Sequence, residues 1–220
     1  MSVKLISHSK GTDNEMNLQD LIAYSARVSN PTNQNNIETN ERLIKYLIRN
    51  HHWSPLEMVS ICLEINATRD ICRQILRHRS FSFQEFSQRY AEASLGFVYK
   101  EARLQDTKNR QNSIEIDNNN LKDAWEQKQN ELANKAQEVY KWALDEGIAK
   151  EQARAVLPEG ITMSRMYMSG NLRSWVHYLQ LRTGNGTQKE HQEIADMCVI
   201  EIAKVFPMIT DLVKFSNEKI

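Results

Sequence analysis

Between Arg77 and Tyr90 the chain gathers three arginines (Arg77, Arg79, Arg89), His78, Glu85 and three serines (Ser80, Ser82, Ser87) into fourteen residues. Arginine offers a planar fork that grips phosphate oxygens bidentately, and serine hydroxyls with backbone N–H groups can complete the oxygen shell, so the run reads as a phosphate or pyrophosphate site. Glu85 adds an acceptor for a ribose hydroxyl or a base N–H, which favours a nucleotide over inorganic phosphate. The competing reading is a solvated, charge-paired helix end.

A second polar set lies downstream. At about 100° per residue, Asn171, Ser174, Tyr178 and Arg182 fall on one side of a helix and Leu172, Trp175, Val176 and Leu179 on the other, with His177 at the margin. Arg154, before Val156-Leu157-Pro158, and Arg182, before Gly184, sit at the ends of elements, where arginines can converge on a ligand. The three cysteines, Cys62, Cys72 and Cys198, are far apart and form no C-x-x-C pair. They are expected to be buried small hydrophobes, and no metal-ligand set is expected.

These groups need elements to position them. The pattern predicts a strand at 3–7, helices at 18–28 and 43–50, a turn at Trp53-Ser54-Pro55 and a strand over 58–66. Thr68 is placed to cap a helix from Arg69 to about Arg77, on which Arg69, Arg73 and Arg77 share a face. Residues 103–120 have little apolar content and no period, and are expected to be a mobile surface loop without chemistry. From Leu121 to Glu146, Trp125, Leu132, Ala136, Val139, Tyr140, Ala143 and Leu144 mark a long amphipathic helix closed by Gly147. A short helix over 149–157, a strand over 161–169, a helix capped by Asn171, and a last helix opened by a capping box at Thr187 to Glu190 complete the chain. No repeat or domain boundary is visible. The expectation for residues 1–220 is therefore one α+β domain with a small mixed or antiparallel sheet flanked by long helices.

Composition narrows the partners. Lys+Arg and Asp+Glu are both 28, so no global basic field exists to hold a nucleic acid polymer or an anionic membrane. No apolar run approaches the ~20 residues that span a bilayer, and the N-terminus lacks a signal-peptide core, so a cytoplasmic protein is expected.

The spacing Arg77-His78-Arg79, seven residues, then Ser87 resembles the signature of the flavin-dependent thymidylate synthases. Further elements agree in order: Ala26-Arg27-Val28-Ser29, Ser54-Pro55-Leu56-Glu57, Gln74, Arg89-Tyr90, Arg154-x-x-Leu157-Pro158, Asn171-Leu172-Arg173-Ser174 and Leu179-Gln180-Leu181-Arg182. The resemblance spans about Leu5 to Glu201. It implies reductive methylation of dUMP to dTMP, with methylenetetrahydrofolate as carbon donor, FAD as hydride carrier and NADPH as reductant. It also implies a homotetramer with FAD sites between subunits, acting on small molecules. Carried over by position, Gln74, Arg77, Glu85, Ser87, Gln88, Arg89 and Arg154 would contact dUMP, with Ser87, Arg89 and Arg154 on its phosphate. Ser54, Arg77, His78, Arg79, Glu85, Asn171, Arg173 and His177 would hold FAD, and Arg182 matches the arginine that polarises uracil.

The chemistry supports that last role independently. Uracil C5 is a poor nucleophile, and the thiolate route to activating it lacks a candidate, because Cys72 lies on the apolar side of its helix. Activation must then be electrostatic, and a guanidinium beside the uracil N3/O2 edge stabilises the developing negative charge. Ser87 is an alternative nucleophile, but surrounding arginines suit it better to phosphate. The competing class is a non-catalytic nucleotide- or RNA-binding module, which neutral net charge disfavours.

Overall fold

The computed structural model describes residues 1–12 and 16–216. In chain order the elements are β1 (Ser2–His8), α1 (Leu18–Ala26), α2 (Asn40–Arg49), β2 (Ser60–Thr68), α3 (Arg69–Ile75), β3 (Ser82–Glu85), β4 (Arg103–Gln105), β5 (Ser113–Glu115), α4 (Asn119–Asp145), α5 (Lys150–Ala153), β6 (Met163–Asn171), α6 (Leu172–Arg182), α7 (Lys189–Ala203) and α8 (Ile209–Leu212). The main sheet has the order β1-β2-β6-β3, and every pairing in it is antiparallel. The fold is α+β, and the sheet is the antiparallel of the two expected forms.

Alternation explains the central strand. Ile61, Leu63, Ile65 and Ala67 are all sealed from solvent on one face of β2, whereas Glu64 and Asn66 on the other face stay partly exposed. Each such burial stabilises the fold by roughly 1.5–3 kcal/mol for the larger side chains. Met166 and Met168 of β6 join the same core, with Trp175, Val176 and Leu179 of α6 and Ile194, Cys198, Val199 and Ile202 of α7 packed over them.

Local chemistry sets the ends of several elements. Asn171 accepts a hydrogen bond from the Ser174 N–H at 2.8 Å and caps α6 as its sequence suggests. Gly147, with φ of 79°, closes α4 in the left-handed conformation that glycine adopts without strain. His51 takes the equivalent position after α2 at φ of 58°, and its backbone closure turns Trp53 and Ser54 toward α6. Gly170 has a different reason. A Cβ there would overlap the Phe81 ring, so its absence lets the segment before β3 lie against β6.

Four expectations need correction. Residues 103–120 are not an irregular loop: β4 and β5 pair as an antiparallel hairpin and α4 begins at Asn119. Lys189 and Arg103 tie this hairpin to the start of α7 through Glu115 and Glu190, and these ion pairs substitute for the missing apolar pattern. The capping box at Thr187 does not form; Gln188 is the cap residue, and the Thr187 hydroxyl turns to the Leu181 carbonyl. On α4, Trp125 and Leu132 are 44% and 54% exposed, so the apolar stripe is only partly covered by this chain. Cys62 is half-buried, because it lies on the outer face of β2, whereas Cys72 and Cys198 are buried.

Candidate active site

The end of α3, the turn before β3 and the end of α6 converge. Arg182, in the last turn of α6, donates its Nε–H to Nε2 of His78 at 2.9 Å. An acceptor Nε2 means that the neutral ring carries its proton on Nδ1. Burial, then the charges of Arg182 and Arg77, push His78 down to about 4, so it is neutral at pH 7. Its ring stands edge-on to Tyr178 at 4.8 Å. The terminal nitrogens of Arg182 have no protein partner among the described residues, and neither do the guanidinium groups of Arg77 and Arg79.

Tyr178 is where the helical-wheel reading of α6 fails. It is 2% exposed, packed against Phe81 and Trp175, and meets the polar site through its ring, packed on His78, and through its hydroxyl. That hydroxyl lies 3.0 Å from Nε2 of His191, whose Nδ1 is 3.2 Å from Oε1 of Gln74. Gln74 in turn donates to Oε1 of Gln188 at 2.7 Å. His191 was not among the sequence candidates. Its signal was its register: it falls on one helical face with the buried Ile194, Ala195 and Cys198, so it had to be a core histidine with polar partners.

A second group follows β3. Glu85, opposite Met166 in the ladder, accepts from Arg73 at 2.6 Å and from the Ser164 hydroxyl at 2.9 Å, with Arg69 at 4.0 Å. Both of its oxygens are therefore engaged by the chain itself. Ser87 accepts from the Arg89 N–H at 3.3 Å. Arg89 and Arg154, 65 positions apart in the numbering of the chain, meet at one residue: Arg89 donates to the Glu151 carboxylate at 3.2 Å and Arg154 to the Glu151 carbonyl at 3.3 Å. Gln88 is 3% exposed, and its Nε2 is buried without a partner among the described residues. Such an orphaned donor is uncommon and calls for an acceptor.

The third group sits at the start of α6. Arg173 bonds Glu57 at 2.5 Å, and His177 packs edge-on against Trp53 at 4.7 Å, beside Ser54. Burial, then the Arg173 charge, lowers the His177 pKa. The sequence-predicted FAD residues thus divide three ways, with Ser54, Asn171, Arg173 and His177 here, Arg77, His78 and Arg79 in the turn after α3, where His78 meets Arg182, and Glu85 on β3. A cavity of about 630 Å³ between α1 and α2, lined by Arg27, Arg42, Tyr46 and Arg49 among others, contains none of the predicted residues. Cys72, on the helix that carries Gln74, is not set up as a nucleophile. Burial pushes Cys72 up to about 12, and its Sγ faces the Ala67 carbonyl.

Guanidinium groups without a partner among the described residues, near a neutral histidine, give the class: an α+β protein whose open donors suit an anion. The family model described as thymidylate synthase complementing protein matches residues 4–208. A probable flavin-dependent thymidylate synthase of Paramecium bursaria Chlorella virus 1 is 48% identical over 210 residues, covering 95% of this chain and 97% of that relative. The flavin-dependent thymidylate synthase of Synechocystis is 47% identical over 213 residues, with coverage of 95% and 97%. Among solved structures, the UMP/dUMP methylase PolB of Streptomyces cacaoi bound with 5-Br dUMP superposes with a TM-score of 0.81 at 28% identity, covering 96% of this chain and 93% of that one. The chain belongs to the flavin-dependent thymidylate synthase family.

Proposed function

We propose that this protein converts dUMP to dTMP by reductive methylation, with 5,10-methylenetetrahydrofolate as carbon donor, FAD as hydride carrier and NADPH as reductant. The observation that carries the reading is the Arg182–His78 pair, in which one nitrogen of the fork is tied down and the other two stay open. Arg182 directs those open N–H groups at the uracil edge and stabilises negative charge as C5 becomes nucleophilic. His78, held neutral, orients the fork without adding a competing cation. Arg89 and Arg154, gathered at Glu151, hold the dUMP phosphate together with Ser87, and Gln88, whose amide nitrogen is enclosed, turns outward to contact the nucleotide. Gln74, Arg77 and Glu85 complete the dUMP contacts.

The residues present suit FAD in part as they stand. Arg77 and Arg79 are open to a diphosphate, whereas Arg173 must exchange Glu57 for the cofactor, and Asn171 has its side-chain oxygen committed to the helix cap. Ser54, His78, Glu85 and His177 would complete that site. FAD bound there, once reduced by NADPH, would supply the hydride that takes the transferred carbon to the methyl level. The enzyme is proposed to be a cytoplasmic homotetramer of 25.6 kDa chains acting on small molecules rather than a nucleic acid polymer, with FAD sites shared between subunits. Partly uncovered Trp125, Leu132 and Trp142 on α4 support an assembly, as do guanidinium groups without a partner among the described residues.

The visible absorption spectrum of the purified protein, recorded before and after dUMP, tests this. Flavin bands perturbed by dUMP are expected, since both ligands share one site. Failure to bind FAD when it is supplied overturns the reading.

A further inference from the structure

A chain of polar side chains runs inward from the β4–β5 hairpin. Arg103 of β4 donates to Oε1 of Glu190 at 2.5 Å, and Gln188 donates its Nε2–H to Oε2 of Glu190 at 2.8 Å. Gln74 donates to Oε1 of Gln188, and Oε1 of Gln74 faces Nδ1 of His191, whose Nε2 faces the Tyr178 hydroxyl. Glu190 is 7% exposed and His191 fully buried, so at these two members water cannot substitute for a missing partner, while Gln74 and Gln188 between them are half-buried.

The direction of every bond in this chain follows from its outer end. An ionised carboxylate only accepts, so Gln188 must turn its N–H groups toward Glu190 and its oxygen toward Gln74. Gln74 must then give an N–H to Gln188 and turn its oxygen to His191. His191 must carry its proton on Nδ1 and accept the Tyr178 O–H on Nε2. Burial works against the charged form of Glu190, but the Gln188 bond, the residue's own N–H and the Arg103 charge together lower its pKa below the glutamate norm. Burial, then Arg182 and His78, pushes His191 down to about 3, so it enters the chain as a neutral ring with one donor and one acceptor.

We infer that Glu190, anchored by Arg103, is a positioning residue that fixes the amide orientation of Gln74 through Gln188, and with it the pattern of donor and acceptor that Gln74 offers to the substrate. The inference rests on the reading of Gln74 as a dUMP contact. With both ends engaged, Gln74 keeps one free N–H on the Gln188 side and one free lone pair on the His191 side. Inverting the amide exchanges the two, and a pyrimidine matched to one arrangement meets its opposite. The hairpin expected to carry no chemistry is thereby part of the site.

Glu190→Gln provides the test, because it keeps the shape and reverses the logic. Arg103 only donates, so the introduced amide must give it the oxygen and turn its NH2 toward Gln188. Every amide then inverts, and His191 moves its proton from Nδ1 to Nε2. In 15N-histidine-labelled holoenzyme, with the His191 resonances identified by a His191→Gln variant, the expected result is an Nδ1–H tautomer in the wild type and an Nε2–H tautomer in Glu190→Gln. The KM for dUMP is expected to rise roughly tenfold, with kcat changed far less. An Nε2–H tautomer in the wild type overturns the inference, as does a Glu190→Gln variant with unchanged tautomer and KM. Gln74→Ala separates the two layers. If it binds dUMP as tightly as the wild type, the contact to Gln74 is lost as a premise and the substrate consequence falls, whereas the tautomers still decide whether Glu190 sets the direction.

Discussion

Arg182 and His78 lie 104 positions apart in the chain and 2.9 Å apart in the fold, with the arginine Nε–H donating to the imidazole Nε2. The contact needs a histidine that stays neutral. A protonated His78 would have no acceptor to offer and would repel the guanidinium it now orients.

Arg182→Ala is expected to lower kcat for dTMP formation by ~10²–10³ while the fold and bound FAD are retained. Arg182→Lys is not expected to restore it, since an ammonium cannot bond His78 and the uracil edge with one rigid fork. Steady-state kinetics with a flavin spectrum of each variant checks this, and unchanged turnover would remove the activation role.

Ser87→Ala is expected to raise the KM for dUMP by about tenfold with a much smaller effect on kcat. The Ser87 hydroxyl accepts from the Arg89 N–H and has no histidine or carboxylate partner among the described residues that could act as its base. Complete loss of turnover at unaltered dUMP affinity would instead make Ser87 a nucleophile.

Cys72→Ala is expected to leave kcat intact and cost about 1 kcal/mol of stability, from lost packing alone. The thiol, raised to about 12 by burial, then by the Glu85 charge, is not ionised at neutral pH. Turnover assays and urea unfolding separate the two effects.

Stability is expected to fall with acid in a window set by two histidines. His78 and His191 lie near 4 and 3 in the fold, against 6.5 for an ordinary histidine. Above about pH 6.5 neither state binds these protons; between there and pH 4 the unfolded chain takes protons that the fold refuses, so stability drops as pH falls. The urea midpoint measured from pH 7 to 4 should decline, and His191→Gln should flatten the slope. A midpoint independent of pH over that range would contradict the buried neutral state.

Arg27→Ala is expected to destabilise the fold by about 3 kcal/mol. Arg27 is 6% exposed and bonds the Asn36 carbonyl, Asn40 and Thr39 at 2.6, 2.6 and 2.9 Å, linking the end of α1 to the start of α2. Removing it strands the buried Asn40 oxygen. Urea unfolding provides the measure, and a cost below ~0.5 kcal/mol would mean that the loop repacks.

What the amino-acid sequence determined by itself was local: β1, β2, β6 and the longer helices, the Asn171 cap, the Gly147 stop, and the cation-rich run that pointed to a nucleotide, whereas the short β3 and α8 carried too little pattern to be read. Each depends on residue types within a few positions, where alternation, helical period and turn chemistry act directly. The hairpin at Arg103 to Glu115 was missed because it is held by ion pairs to α7 and carries almost no periodic signal of its own. The allocation of charge was not legible either. Arg73 is spent on Glu85, Arg173 on Glu57 and Arg89 on Glu151, while Arg77 and Arg79 have no partner among the described residues. Those partners are set by the β3–β6 register and by the packing of α6 and α7 on the sheet, which bring together residues such as Gln74 and His191, 117 positions apart. A guanidinium has the same composition whether paired or free. Only the tertiary structure decided which arginines remain for a ligand, because a charge is satisfied by whatever lies within about 4 Å of it and not by its neighbours along the chain.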